Sequence, residues 1–345
     1  MDFSVTITTC NRAESLRRGL EALAQQDYRL EAIEVIVADN GSTDHTKSIA
    51  DGFAARFPNF RYLYDARPGQ LVGWHRAFAV TRGVVTCFID DDVRPDSGWL
   101  SALAESYRDP GVGLATGPIH LAFEETQPDW LALMTLGEPG TETMPLLGGL
   151  EAGPNVRDIP GNFVWGTNFS VRRSVLIEVG GFHPCAMPWN LIRFYGDGEI
   201  HIGRTAERLG HRILYHPAAS VQHDIPAGRM TLEAVMRKFT TSGCARSFQA
   251  IRASGQPVAA PSADEIKAIA RRYFRDAKAA PGDLVQAVEM GLDHGMTLQR
   301  EAFRTDSDFR DWVLRDNFLD LDACYTHPDL AAATPASAAD WRSGI

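Results

Sequence analysis

Three adjacent carboxylates, Asp90, Asp91 and Asp92, follow the apolar run VVTCFI. Neighbouring carboxylates repel one another and are costly to hold together unless a cation neutralises them. Their hard oxygen atoms suit Mg²⁺ or Mn²⁺ rather than zinc. Such an ion can bridge two phosphates and stabilise the charge that develops as a diphosphate leaves. A solvated acidic turn after a strand accounts for the same triplet without any ligand. Two further polar clusters follow apolar runs: Thr8-Thr9-Cys10-Asn11-Arg12 after the first, and Asp39-Asn40-Gly41-Ser42-Thr43-Asp44 after the second. Asp39 can accept a hydrogen bond from a base N–H or a ribose hydroxyl, and it can equally open an Asx turn. The two roles are compatible.

These clusters meet only if their strands run parallel and share one carboxyl edge, where ligands of open α/β sheets bind. The first 120 residues alternate β-rich runs with helical patterns, which predicts repeated β-α units around a mainly parallel, Rossmann-like sheet flanked by helices. Strands are expected over Phe3 to Thr9, Ile33 to Ala38, Arg61 to Tyr64, Val84 to Ile89 and Gly111 to Thr116. Helices are expected over Glu14 to Ala24, from a cap at Ser42 or Thr43 to about Phe57, and over Leu71 to Val80 and Ser97 to Tyr107. Glu124 to Pro160, rich in glycine and proline, reads as an irregular, mobile connection. Helices over Arg172 to Val179 and Glu199 to Leu209 stop at Gly180-Gly181 and at Gly210, and Arg212 to Tyr215 is a short strand. From Met230 the pattern is helical, with a capping box at Ser262 and Glu265 before a run to Ala279 and a break at Pro281-Gly282.

The expected division is a catalytic domain over residues 1–225, its nucleotide-binding half ending near 120 and its acceptor half following from 121. A helical C-terminal extension covers 226–345, and its Ala/Ser/Pro-rich end from Ala331 is expected to be poorly ordered. That extension has three available tasks: covering the acceptor side, forming a homodimer, or touching a membrane surface. With 44% hydrophobic and 23% charged residues, the 345-residue chain can bury one large core, or a large and a smaller one. A net charge of −10, with cations that read as dispersed, argues against nucleic acid as a partner. No apolar run reaches the roughly 18 residues of a membrane span, and no signal peptide is visible. Five cysteines without C-x-x-C spacing fit a reducing cytoplasm.

TITTCNR, VIVADNGSTD and GQLVGWHRAFAVTRGVVTCFIDDDVRPD, in that order, resemble successive motifs of the family 2 glycosyltransferases, which have the GT-A fold. The likeness continues through PGNFVWGTNFSVRRSVLIEVGGF and GDGEIHIGRTAERLGHRILYHPAASVQHD, so it covers residues 2 to roughly 250. It implies transfer, with inversion, of a sugar from a nucleotide-diphosphate donor to an acceptor hydroxyl. Thr8 and Asp39 would line the nucleoside pocket, and Asn11, Arg12 and Asp91 belong to the same donor-binding edge. Asp90 and Asp92 would frame a D-x-D motif for Mn²⁺ or Mg²⁺, with Asp92 as the best direct ligand. His223 matches a histidine that contacts metal or diphosphate in many GT-A enzymes.

The family's catalytic base is a carboxylate, and Asp197 occupies its place. An E-D pair is usual there, and Gly196 replaces the glutamate, which leaves Glu199 as a competing base. Asp197 can also serve simply as the cap of the following helix. Trp165 and Asn168 lie in the segment that faces donor and acceptor, where an indole can stack on a sugar face. Gly73-Trp74-His75 stands where relatives often carry Ala-Arg-Asn; Arg76 or His75 is then the substitute for the lost arginine. Arg237 and Lys238 are in reach of a diphosphate or form a solvated helix face. Uridine is the first expectation for the base, and the acceptor is a glycan, a lipid-linked sugar or a small molecule. The expected location is the cytoplasm, with peripheral contact at the inner face of the membrane. The rivals are a sugar-phosphate nucleotidyltransferase, which would want a Gly-rich first loop that TITTCNR lacks, and a phosphatase with its acidic motif after strand one. A non-catalytic nucleotide-sugar or carbohydrate-binding protein is the alternative from a different class.

Overall fold

The runs FSVTITT and IEVIVAD are buried at every position, as strands covered on both faces must be. A computed structural model describes residues 1–333, so the expectation for the Ala/Ser/Pro-rich end falls, from 334 on, outside the described residues. The chain opens with β1 (Phe3–Thr9), α1 (Ala13–Leu23), β2 (Ile33–Asp39), α2 (Thr46–Phe53), β3 (Phe60–Tyr64), α3 (Gln70–Val80) and β4 (Val85–Asp90). It continues through β5 (Val93–Pro95), α4 (Trp99–Ser106), β6 (Val112–Thr116) and β7 (Ile119–Phe123). The glycine- and proline-rich stretch holds a 3-10 turn over Asp129–Met134 and the two-residue strands β8 (Thr143–Met144), β9 (Gly149–Leu150) and β10 (Arg157–Asp158). Then come β11 (Phe169–Arg172), α5 (Arg173–Glu178), α6 (Gly198–Arg208), β12 (Arg212–Tyr215) and β13 (Val221–Ile225). Helices α7 (Leu232–Ser254), α8 (Ala263–Arg271), α9 (Gly282–Thr305), α10 (Ser307–Leu314), α11 (Leu321–Cys324) and α12 (Pro328–Ala331) complete the described chain.

The large sheet has the order β10-β12-β6-β11-β4-β1-β2-β3, with β1 parallel to both β2 and β4. The chain departs from β1 in two directions, which opens a crevice at the carboxyl ends of these strands. β11 is antiparallel to β4 and β6. A second sheet, β5-β13-β7-β9-β8, pairs β13 antiparallel to β5, with His223 opposite Val93, next to the acidic triplet.

The helices after residue 230 are not a separate layer. Phe248, Phe309, Trp312 and Phe318 join one core with the strand residues Val5, Val37 and Phe88, and each such buried ring contributes about 2 kcal/mol. α7 and α9 pack backbone to backbone: a Cβ on Gly295 would lie 2.0 Å from the carbonyl oxygen of Thr240, so only glycine fits the seam. No described helix is long and apolar enough to cross a membrane.

Two expectations fail locally. α2 begins at Thr46, not after Ser42 or Thr43, because the Asp44 carboxylate accepts from Thr46 N at 3.0 Å while Ser42 Oγ accepts from Asn11 N at 2.8 Å. α8 has its capping box at Ser262 and Glu265 but stops at Arg271 rather than running to Ala279. Beyond it the backbone N of Arg275 donates to Leu133 O at 2.7 Å, a tertiary bond that local pattern cannot announce.

Candidate active site

The parallel register sets Thr8 opposite Asp90 and Thr9 opposite Asp39, so the three polar clusters converge on one edge, as the sequence required. α3 seals that edge. Its Gly73 sits so close to β1 that a Cβ would come within 2.5 Å of Thr8 Cγ2. This approach brings Gln70, at the helix start, to donate to Asp90 Oδ1 at 2.6 Å and to Thr8 Oγ1 at 3.2 Å. Thr8 is therefore buried beneath the cavity floor. Asp39 is buried too. One oxygen accepts from Ser42 N at 2.7 Å in the expected turn, and the other accepts from Tyr62 Oη at 2.5 Å. Asn11 holds a left-handed φ of 52°, and its Oδ1 accepts from Thr43 N at 2.7 Å. Its side chain thus ties the first two loops together.

Within the triplet the three carboxylates part company. Asp91 is fully buried and pairs with Arg12 at 3.0 Å; the same guanidinium pairs with Asp92 at 2.9 Å. Asp92 Oδ1 lies 3.6 Å from His223 Nε2, and Arg229 stands 3.9 Å from Asp92 and 3.3 Å from His223. Burial pushes the His223 imidazole down to about 4, so it is neutral and retains a lone pair. Among the described residues, no three His, Cys, Asp or Glu side chains are gathered closely enough to hold an ion by themselves. One or two carboxylates completed by substrate phosphates and water are what Mg²⁺ usually takes from a protein.

A cavity of about 320 Å³ opens beyond the strand ends. Asp90, Gln70 and His223 line one side, Trp165, Asp197 and Glu199 another, and Arg229 and Lys238 contribute cations. The two candidate bases differ sharply. Asp197 Oδ1 is 2.6 Å from His183 Nδ1, and its Oδ2 accepts from Gln249 Nε2 at 3.0 Å. Burial would raise its pKa, but the hydrogen bond with His183 outweighs it and holds the carboxyl below its ordinary value. Glu199 accepts from Gly166 N, at 3.2 Å on Oε1, and burial raises its pKa. Gly196 departs from the E-D pattern for a reason of space: a Cβ there would come within 3.1 Å of both Phe248 Cζ and Pro184 O.

Other expected residues take different places. Trp165 lines the cavity, its Nε1 donating to Asn162 O at 2.9 Å. Asn168 does not line it; buried, it accepts from Trp99 Nε1 at 2.9 Å and donates to Ala219 O at 2.8 Å, bracing the two sheets. Of the helix pair, Lys238 faces the cavity, while Arg237 pairs with Glu233 at 2.8 Å. Neither proposed substitute for the family arginine reaches the cavity: His75 Nε2 accepts from Phe182 N at 2.9 Å within the core, and Arg76 lies 3.4 Å from Asp65. Sequence reasoning missed Gln70, His183, Arg229 and Gln249. Only Arg229, six residues past His223, carried a local signal.

The profile of glycosyl transferase family 2 matches residues 4–180. Among curated proteins, the chain is similar to glycosyltransferase AglE of Haloferax volcanii, 27% identical over 223 residues, 62% of this chain and 66% of AglE. It is also similar to the glucosyl-dolichyl phosphate glucuronosyltransferase of the same organism, 25% identical over 235 residues, 65% of this chain and 70% of that protein. The chain thus matches just under two thirds of AglE's own length. In fold it resembles the mannosyltransferase PcManGT from Pyrobaculum calidifontis, solved with GDP-Man and Mn²⁺, at a TM-score of 0.51 and 16% identity over 99% of this chain and 85% of that one. GalNAc-T7, solved with UDP, GalNAc and Mn²⁺, gives a TM-score of 0.50 at 16% identity over 65% of this chain and 43% of that one. The architecture is the GT-A fold, and with a family profile spanning half its length the chain belongs to glycosyl transferase family 2.

Proposed function

We propose that the chain transfers a sugar from a nucleotide-diphosphate donor to an acceptor hydroxyl with inversion, assisted by Mn²⁺ or Mg²⁺. The observation that carries this reading is the single cavity in which a strand-end carboxylate and His223, two cations, and the Asp197–Glu199 pair line the same space. A non-catalytic binder would have no need to set a base beside the donor edge.

Asp90, Asp92 and His223 would hold the metal, and a bound ion would supply charge neutralisation for the leaving diphosphate. Arg229 and Lys238 add charge-assisted contacts to the same phosphates, and Trp165 offers a face to a sugar ring. Glu199 is the base. Its raised pKa and lightly engaged carboxylate suit proton abstraction near neutral pH. As the acceptor oxygen bonds to the anomeric carbon, its proton passes to Glu199 and the electron pair of the broken bond leaves on the diphosphate. Attack in line with that departure inverts the centre. Asp197, engaged on both oxygens, positions the first turn of α6 that carries Glu199.

GDP-Man and UDP are the nucleotides of the two solved relatives, and the glucuronosyltransferase relative is named for a dolichyl-phosphate-linked glucosyl substrate. For this chain a lipid-linked or glycan acceptor follows by analogy, and uridine remains the first base to test. Five buried free cysteines fit action in a reducing cytoplasm. Residues 1–225 supply the strand-end machinery, and the helices from 226 close its far wall.

The decisive measurement is binding of a panel of nucleoside diphosphates, with and without Mn²⁺, to the native chain and to Asp92→Ala. Metal-dependent binding of one nucleotide, lost in the variant, is expected. A folded native chain that binds none of them would overturn the proposal.

A further inference from the structure

The net charge of −10 hides one place where cations concentrate: residues 267–278, KAIARRYFRDAK, hold five Lys or Arg and one carboxylate. The expectation of dispersed cations fails here. α8 and the turns after it bury Ile266, Ala270 and Phe274 in the core shared with α7 and α9. Lys267, Arg271, Arg272, Arg275 and Lys278 are left exposed on the outside. Some arginines elsewhere are neutralised in place, Arg17 by Glu14 and Glu21, Arg212 by Asp109 and Asp158. No ion pair of the described residues includes any of these five, and Arg275 donates to a carbonyl, Gly137 O, at 3.2 Å. The charge is thus left unspent on a surface that the protein has otherwise made acidic.

Two observations say what covers it. The 3-10 turn Asp129–Met134 abuts the segment through the bond from Arg275 N to Leu133 O, and its half-buried Trp130 and Leu133 pack on the same core as Ile266, Ala270 and Phe274. An indole and an aliphatic side chain flanking a basic stripe suit the boundary between headgroups and acyl chains. Nucleic acid would ask for a longer basic track without the apolar flank, and it would meet the acidic remainder of the chain. Tyr273, in the middle of the segment, also lines the catalytic cavity, where its hydroxyl accepts from Arg246 Nη2 at 3.0 Å.

We infer that this face, residues 267–278 with Trp130 and Leu133, docks the protein on an anionic lipid surface and holds the cavity beside it. Docking itself does not depend on the transferase reading.

The test is sedimentation of the full chain with vesicles of phosphatidylcholine alone and of equal parts phosphatidylcholine and phosphatidylglycerol, at low and high salt. Binding to the anionic vesicles only, weakened by salt, is expected. Each cation removed should lower the partition coefficient about fivefold, so the triple variant Lys267→Gln, Arg271→Gln, Arg272→Gln should bind on the order of a hundredfold more weakly. These side chains are exposed, and an unchanged melting temperature checks that the variant is folded. Trp130→Ala should weaken binding without altering its salt dependence. The inference is overturned by equal binding of the triple variant, by equal binding to neutral vesicles, or by retention on heparin without vesicle binding.

Discussion

Two carboxylates separated by one glycine have been given opposite environments. Asp197 spends both oxygens on the side chains of His183 and Gln249, whereas Glu199 takes backbone N–H groups and is pushed upward by burial. Glu199→Gln should therefore lower kcat by roughly 10²- to 10⁴-fold with nucleotide affinity nearly unchanged. Asp197→Asn should cost less in turnover and more in stability. Since Glu199 must be ionised to act, its raised pKa should move the acidic limb of kcat/KM above the ordinary glutamate value of about 4.3. A Glu199→Gln enzyme that keeps its rate, with Asp197→Asn inactive, would reverse the assignment. The sequence displayed both candidates but not the choice between them. The groups that tie up Asp197 stand 14 and 52 residues away. The amides of Asn11 and Asn168 are engaged within the fold, which the sequence could not announce: an amide near a site reads the same whether it faces a ligand or braces a loop.

At the scale of elements, strand ends were legible to within a residue or two, because β1, β2 and β4 are β-rich runs buried on both faces and punctuated by polar clusters. What could not be read was the part of each element fixed by a distant neighbour: the start of α2, the end of α8, and Gly196. Gly196 faces Phe248 of α7, so restoring the family's acidic residue with Gly196→Glu should drive α7 away from the Asp197 turn. Overpacking of this kind costs about 1–3 kcal/mol, to be read by denaturant unfolding. Unchanged stability would show that α7 packs more loosely than the 3.1 Å approach indicates.

Over the whole molecule, burial of polar groups sets the acid limit. His75 and His183 are buried, and burial lowers both their pKa values, that of His75 to about 3. The unfolded chain takes up these protons near pH 6.5 while the folded chain refuses them. Stability is complete above 6.5 and falls as pH drops below it, by up to about 1.4 kcal/mol per pH unit for each imidazole. A melting temperature flat from pH 7 to 5 would contradict this. The family profile ends at residue 180, yet Lys238 and Gln249, both on α7, stand respectively in the cavity and on Asp197. The cavity wall is therefore completed by residues beyond the stretch that the family profile matches. If the helices from 226 onward carry the acceptor preference, a graft that exchanges them should move it, and an unchanged acceptor range would place it in the strand-bearing half.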